Sequence, residues 1–169
     1  MYQVFLGLGS NIGDRLRYLT GAIEEISKIS ELRTLSSIYE TSPVGMDTSN
    51  VFFNMVGEVG TSEYPRQLLN RLQEIEKKMG RKSKHLGADR EIDIDILLYR
   101  GMSYEDDVVT VPHPRLQYRR FALEPFCEIA PTAVHPVLCK TIASLLRQCR
   151  DTHTVKRTEH NIDTMQFKT

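Results

Sequence analysis

The sequence predicts an α+β fold, and three observations predict it. Stretches rich in β-formers or alternating apolar and polar residues mark strands near residues 2–9, 32–40, 51–59 and 92–98. Two stretches with apolar residues at helical spacing lie between the first and second strands and between the third and fourth. The resulting order, β-α-β-β-α-β, is that of a ferredoxin-like βαββαβ core with an antiparallel sheet, followed by a C-terminal helical extension.

The first strand runs into Gly7-Leu8-Gly9-Ser10-Asn11-Ile12-Gly13-Asp14, where three glycines read as a tight turn. Asp14 is the expected N-cap of a helix reaching about residue 28, with Leu16, Leu19, Ile23 and Ile26 as its buried stripe. After the second strand, residues 41–50 read as a loop, and the third strand follows. Pro65 suits the first turn of the second helix, whose stripe is Leu68, Leu72, Ile75 and Met79. Gly80 stands where a left-handed cap belongs. A basic loop over residues 81–90 precedes the fourth strand. A small hairpin is expected within 99–111, then helices around 118–128 and 141–150. We read residues 1–150 as one domain and 151–169 as a polar, loosely held C-terminal tail.

The chain has 169 residues, 40% of them hydrophobic, enough for one domain with a real core. Its 22 basic and 22 acidic residues give a formal net charge of +0, which argues against nucleic-acid or membrane binding through bulk charge. No stretch is long enough to span a bilayer, and the N-terminus lacks a signal-peptide layout. Cys127, Cys139 and Cys149 fit no metal spacing and read as reduced thiols of a cytoplasmic protein.

Ile92-Asp93-Ile94-Asp95-Ile96-Leu97-Leu98 carries the most chemistry. Period two puts three isoleucines on one face and Asp93 and Asp95 on the other. Two aligned carboxylates repel unless a positive charge sits between them, and two carboxylates plus substrate phosphates is a usual seat for Mg²⁺. Arg81, Lys82, Lys84, His85 and Arg90 crowd the preceding loop, as a polyphosphate clamp would. Gln73 and Glu76 share a helix face. Pro112-His113-Pro114 holds a histidine rigidly enough to offer a ring nitrogen to a phosphate. Phe52 and Asn54 share a strand face, an aromatic surface beside a carboxamide that suits a flat heterocycle. The first glycine run lacks a P-loop lysine and does not follow the dinucleotide fingerprint.

Together these segments resemble the 6-hydroxymethyl-7,8-dihydropterin pyrophosphokinase family of folate synthesis. The resemblance rests on Gly7-Leu8-Gly9-Ser10-Asn11, Tyr39-Glu40-Thr41-Ser42-Pro43, Phe53-Asn54, Glu76 to Arg81, Arg90 to Leu98, and Val111-Pro112-His113-Pro114 with Phe121. It implies pyrophosphoryl transfer from ATP to the pterin hydroxymethyl group, with two Mg²⁺ ions held by Asp93 and Asp95. It implies catalytic roles for Arg81 and Arg90, and ATP contacts from Gln73, Glu76, His113 and Arg119. It implies a pterin pocket of Thr41, Val44, Gly45, Phe52, Asn54 and Phe121. ATP and the pterin are the implied partners; we expect no nucleic-acid or membrane partner, and a monomer.

The chain departs from the family pattern in four places. It has no Trp in the basic loop, Leu86 being nearest. The spacing from Gly87 to Asp93 is one residue longer than in the family's common Gly-Pro-Arg form. Phe52 lacks a hydroxyl often found at that position, and no basic residue stands near Val108. A non-catalytic ferredoxin-like binding module, or another Mg²⁺-dependent phosphoryl or nucleotidyl transferase, is the competing reading. An RNA-binding version would need exposed stacking aromatics on the central strands, where Asp93 and Asp95 would repel a phosphate backbone.

Overall fold

The computed structural model describes residues 1–81 and 88–167. Strand β1 (Tyr2–Ser10) leads into α1 (Arg15–Ser27), then β2 (Glu31–Leu35), β3 (Tyr39–Thr41) and the long β4 (Phe52–Thr61). Helix α2 (Pro65–Lys78) and β5 (Asp93–Tyr99) complete the βαββαβ order, with β2 and β3 together in the place of its second strand. The expected hairpin follows as β6 (Tyr104–Glu105) and β7 (Thr110–Val111). A 3₁₀ turn (Leu116–Tyr118) precedes α3 (Arg120–Ile129). A second hairpin of β8 (Val134–His135) and β9 (Lys140–Thr141), then α4 (Ile142–Gln148) and β10 (Val155–Arg157), follow. The main sheet has the order β10-β3-β4-β1-β5, with β2 also on β4, and every pairing is antiparallel.

Strand parity divides the interior in two. Val4, Leu6 and Leu8 of β1 and Ile94 and Ile96 of β5 pack under α1 (Leu19, Ile23, Ile26) and α2 (Leu68, Leu72, Ile75). On the opposite face, Phe5, Val56, Leu97 and Leu98 pack against Leu123 and Phe126 of α3 and Ile142 and Leu145 of α4. The rings of Phe5 and Phe126 lie 4.5 Å apart between centroids. Asp14 caps α1 by accepting the Arg17 N–H at 3.0 Å. Gly80 ends α2 with a φ of +94°, the left-handed geometry its position suggested.

Three expectations need correction. Gly7 and Gly9 lie inside β1 rather than in a turn; Gly13, with φ +65°, makes the turn. The second strand is two strands, because Ser36, Ser37 and Ile38 stand opposite only Met55 and Val56. This bulge is stabilised locally: Ser36 donates its N–H to the Val56 carbonyl and accepts the Val56 N–H on its hydroxyl, both at 2.9 Å. Residues 155–157 of the polar tail form β10 on the free edge of β3, whose unpaired backbone groups they satisfy. Ile162 and Phe167 then pack against the first cluster.

Candidate active site

Where α3 and α4 stop covering the sheet, its second face opens into a cavity of about 570 Å³. Register builds the floor. Asn54 on β4, Gly9 on β1 and Asp93 on β5 stand opposite one another, and Val56, Gly7 and Asp95 form the next row. Each row has a glycine at its centre, so the carboxylates and Asn54 border open space. A Cβ built on Gly9 would lie 2.5 Å from the Asn54 Oδ1. The buried Asn54 is itself held, donating from Nδ2 to the Thr41 hydroxyl at 2.6 Å.

The cavity gathers most of the residues singled out in the sequence. Thr41, Val44, Gly45, Phe52, Asn54, Arg81, Arg90, Asp93, Asp95, His113, Arg119 and Phe121 all line it. Gln73 and Glu76 do not. Glu76 lies buried on α2 behind β5, where it accepts the Ile94 N–H at 2.7 Å and pairs with Arg81 at 2.5 Å. Burial pushes its carboxyl above the usual range. Lys82, Lys84, His85, Leu86 and Gly87 lie outside the described residues. Among the lining residues the sequence reading passed over are Arg115 and Tyr118; Arg115, two positions beyond His113, was the visible signal.

Arginines supply the positive charge that two aligned carboxylates require. Asp93 accepts from Arg81 Nη1 at 2.7 Å and from Arg90 Nη1 at 2.8 Å, one on each oxygen. Arg119 stands 3.9 Å from Asp95. Asp95 is the less compensated of the two: burial, then the charge of Asp93, raises its pKa to about 7. Its side chain nonetheless keeps 40% of its surface open to the cavity, so water and small ions reach it. Arg90 also lies over the Phe52 ring at 6.0 Å, and Arg119 over Phe121 at 5.5 Å. The cationic side of the cavity therefore adjoins its aromatic side.

His113 is fixed through its backbone, its N–H donating to the Leu97 carbonyl at 2.9 Å. Its Nδ1 accepts the Arg115 N–H at 3.1 Å, which assigns the ring proton to Nε2 when the ring is neutral. Burial, reinforced by Arg119 and Arg115, lowers its pKa to about 4. The ring is thus neutral at pH 7 and can donate from Nε2.

The donor chemistry suits a hard cation. Asp93 and Asp95 offer only carboxylate oxygens, and Asp95 lacks full compensation. No group of three or more His, Cys, Asp or Glu side chains placed to hold a metal occurs among the described residues. An ion seated here would take its remaining ligands from water and a bound phosphate, the usual arrangement for Mg²⁺.

The family described as 7,8-dihydro-6-hydroxymethylpterin-pyrophosphokinase matches residues 5–131. A 2-amino-4-hydroxy-6-hydroxymethyldihydropteridine pyrophosphokinase of Aquifex aeolicus is 40% identical over 142 residues, covering 84% of this chain and 89% of that protein. Its Bacillus subtilis counterpart is 41% identical over 127 residues, covering 74% and 76%. The folic acid synthesis protein fol1 of Pneumocystis carinii is 39% identical over 155 residues, which are 90% of this chain but 21% of that longer protein. Among solved structures, a Plasmodium falciparum HPPK-DHPS aligns with a TM-score of 0.74 at 16% identity, covering 87% of this chain and 44% of its own. That likeness supports the fold. No helix among the described residues is long and apolar enough to cross a membrane.

Proposed function

This chain belongs to the 7,8-dihydro-6-hydroxymethylpterin-pyrophosphokinase family, and from that membership we propose which of its residues carry the reaction. The reaction is ATP-dependent transfer of a pyrophosphoryl group to the hydroxymethyl oxygen of 6-hydroxymethyl-7,8-dihydropterin, in folate biosynthesis. An oxygen–phosphorus bond forms at the β-phosphorus, the bond from that phosphorus to the AMP oxygen breaks, and AMP leaves. No covalent enzyme intermediate is required. The protein must align the alcohol with the phosphorus and offset charge there.

Asp93 and Asp95 would hold Mg²⁺, two ions in our reading, which would neutralise phosphate oxygens and orient the triphosphate. Arg81 and Arg90 now neutralise Asp93, and both are suited to grip phosphate oxygens instead. Cation binding at Asp93 and release of these arginines toward phosphate are therefore linked. Glu76 positions Arg81 and the backbone of Ile94 from behind the strand. His113 donates Nε2–H to a phosphate oxygen, and Arg119 adds charge beside Asp95.

For the pterin, Asn54 Oδ1 accepts from the N–H edge of the ring, its Nδ2 being already committed to Thr41. Phe52 and Phe121 supply aromatic faces, with Val44 and Gly45 closing the side. ATP and the pterin are the proposed partners. Every contact invoked comes from one chain, so a monomer suffices. A cytoplasmic setting agrees with three free cysteines.

The observation that carries this assignment is the shared cavity wall of Asp93, Asp95, Arg81 and Arg90. Calorimetric titration with a Mg²⁺-bound, non-hydrolysable ATP analogue tests it. Asp95→Asn should weaken binding about tenfold or more, as loss of a charged ligand contact does. Equal affinity in wild type and variant would refute the assignment.

A further inference from the structure

Asp89 and Arg90 lie in the segment that leads into β5. Both carboxylate oxygens of Asp89 are engaged. Oδ1 accepts from Asn11 Nδ2 and Oδ2 from Asn50 Nδ2, each at 2.7 Å. Asn11 directly follows β1, the glycine-bearing strand, and also holds the next residue. Its Oδ1 accepts the Arg90 N–H at 2.7 Å, and its own N–H donates to the Arg90 carbonyl at 3.2 Å. Asn50 belongs to the connection between β3 and β4 that brings Val44 and Gly45 to the cavity. The far end of that connection is anchored separately: Ser42 donates its N–H to the Thr154 carbonyl and accepts the Thr154 N–H on its hydroxyl, both at 3.1 Å.

We propose that Asp89 is a positioning residue that fastens the β3–β4 connection to the backbone of Arg90, so that one carboxylate sets the pterin side and the phosphate side of the cavity together. This rests on the site assignment above. The chemistry explains why the residue is an aspartate. Two carboxamide N–H groups converge on it from different elements, and only a side chain with two acceptors satisfies both. An asparagine would turn its own NH₂ toward one of them. Arg90 is the residue through which this placement reaches the reacting groups, since its guanidinium lies between Asp93 and the Phe52 ring.

Steady-state AMP formation, with ATP and pterin varied separately, tests the proposal in Asp89→Ala, Asp89→Asn, Asn50→Ala, the Asp89→Ala/Asn50→Ala double variant and Asp95→Ala, alongside thermal melts. Asp89→Ala should raise the pterin KM about 3- to 10-fold and lower kcat by a similar factor, as loss of charge-assisted hydrogen bonds does. Asn50→Ala should raise the pterin KM and leave kcat close to wild type, because Asp89 still fixes Asn11 beside Arg90. The double variant should have no higher KM than Asp89→Ala, since both changes cut the same link. Asp89→Asn should fall between wild type and Asp89→Ala. Additive effects, or a lowered Tm with unchanged KM and kcat, would overturn the proposal. An Asp95→Ala protein that still forms AMP normally would overturn the site assignment and this inference with it. Loss of AMP in Asp95→Ala with wild-type constants in the Asp89 and Asn50 variants would overturn the inference alone.

Discussion

Gly9 has no side chain because Asn54 occupies the place its Cβ would take. Asn54 cannot yield freely, since moving it breaks the bond to Thr41. Gly9→Ala should therefore raise the pterin KM about tenfold, the cost of one buried hydrogen bond, with little change in the KM for ATP. Equal increases in both constants would contradict this, and separate KM determinations distinguish the two. Residue chemistry was legible in the sequence wherever it was local. Period two put Asp93 and Asp95 on one face, and both line the cavity with Phe52 and Asn54. Gly7 and Gly9 were misread as a turn because their reason lies on neighbouring strands: Leu97 beside Gly7 and Asn54 beside Gly9. The role of Asp89 was hidden in the same way, its partners lying 78 and 39 positions away.

At the scale of elements, α3 is pinned to the sheet by two kinds of contact. Phe126 is fully buried against Phe5. Glu128 accepts from Ser37 N–H and hydroxyl at 3.0 and 2.9 Å, and from the Tyr39 hydroxyl at 2.8 Å. Burial and the Glu128 carboxylate together hold the Tyr39 hydroxyl well above the usual phenol range, so it stays a donor. Phe126→Ala should cost about 3–5 kcal/mol in a urea titration, because it empties a well-packed core position. A loss below about 1 kcal/mol would mean that α3 packs loosely.

The hairpin of β6 and β7 offers a pH test. Asp106 accepts the Val109 and Val108 N–H groups, each at 2.8 Å, which lowers its pKa to about 2. That is below the roughly 3.9 of an unfolded aspartate, so its stabilisation is complete well above pH 4 and is lost as pH falls through about 2. Asp106→Asn should be less stable than wild type at pH 7, and the gap should narrow at pH 3. A gap of equal size at both values would contradict the assignment. Helix ends were readable from Asp14, Pro65 and Gly80, because caps are local chemistry. The strand in the tail was not, because Val155-Lys156-Arg157 is too short and too polar to announce a strand without the open edge of β3.

The whole molecule is electrically neutral, yet its cavity is not. Arg81, Arg90, Arg115 and Arg119 line one space with two carboxylates. A formal net charge of +0 says nothing of such a local concentration. The βαββαβ order, by contrast, was legible apart from the break between β2 and β3, because each element satisfies its own period and the antiparallel pairing follows from the connections. The split between two packed clusters explains where function sits. One face of the sheet is sealed by α1 and α2, and the other is sealed only in part, which leaves the end rows of β4, β1 and β5 open. In the longer relatives the matching region is a fraction of the chain.

In the proposed mechanism Asp93 and Asp95 would seat the metal–triphosphate for transfer at the β-phosphorus. The most direct measurement is product-resolved nucleotide analysis after mixing the protein with ATP, Mg²⁺ and 6-hydroxymethyl-7,8-dihydropterin, with Asp95→Ala run beside it. Pterin-dependent AMP is expected from the wild type, with a loss of at least about 100-fold of that rate in the variant, a cost expected for a transition-state charge contact. ADP or pyrophosphate in place of AMP, or an Asp95→Ala protein that forms AMP at the wild-type rate, would contradict it.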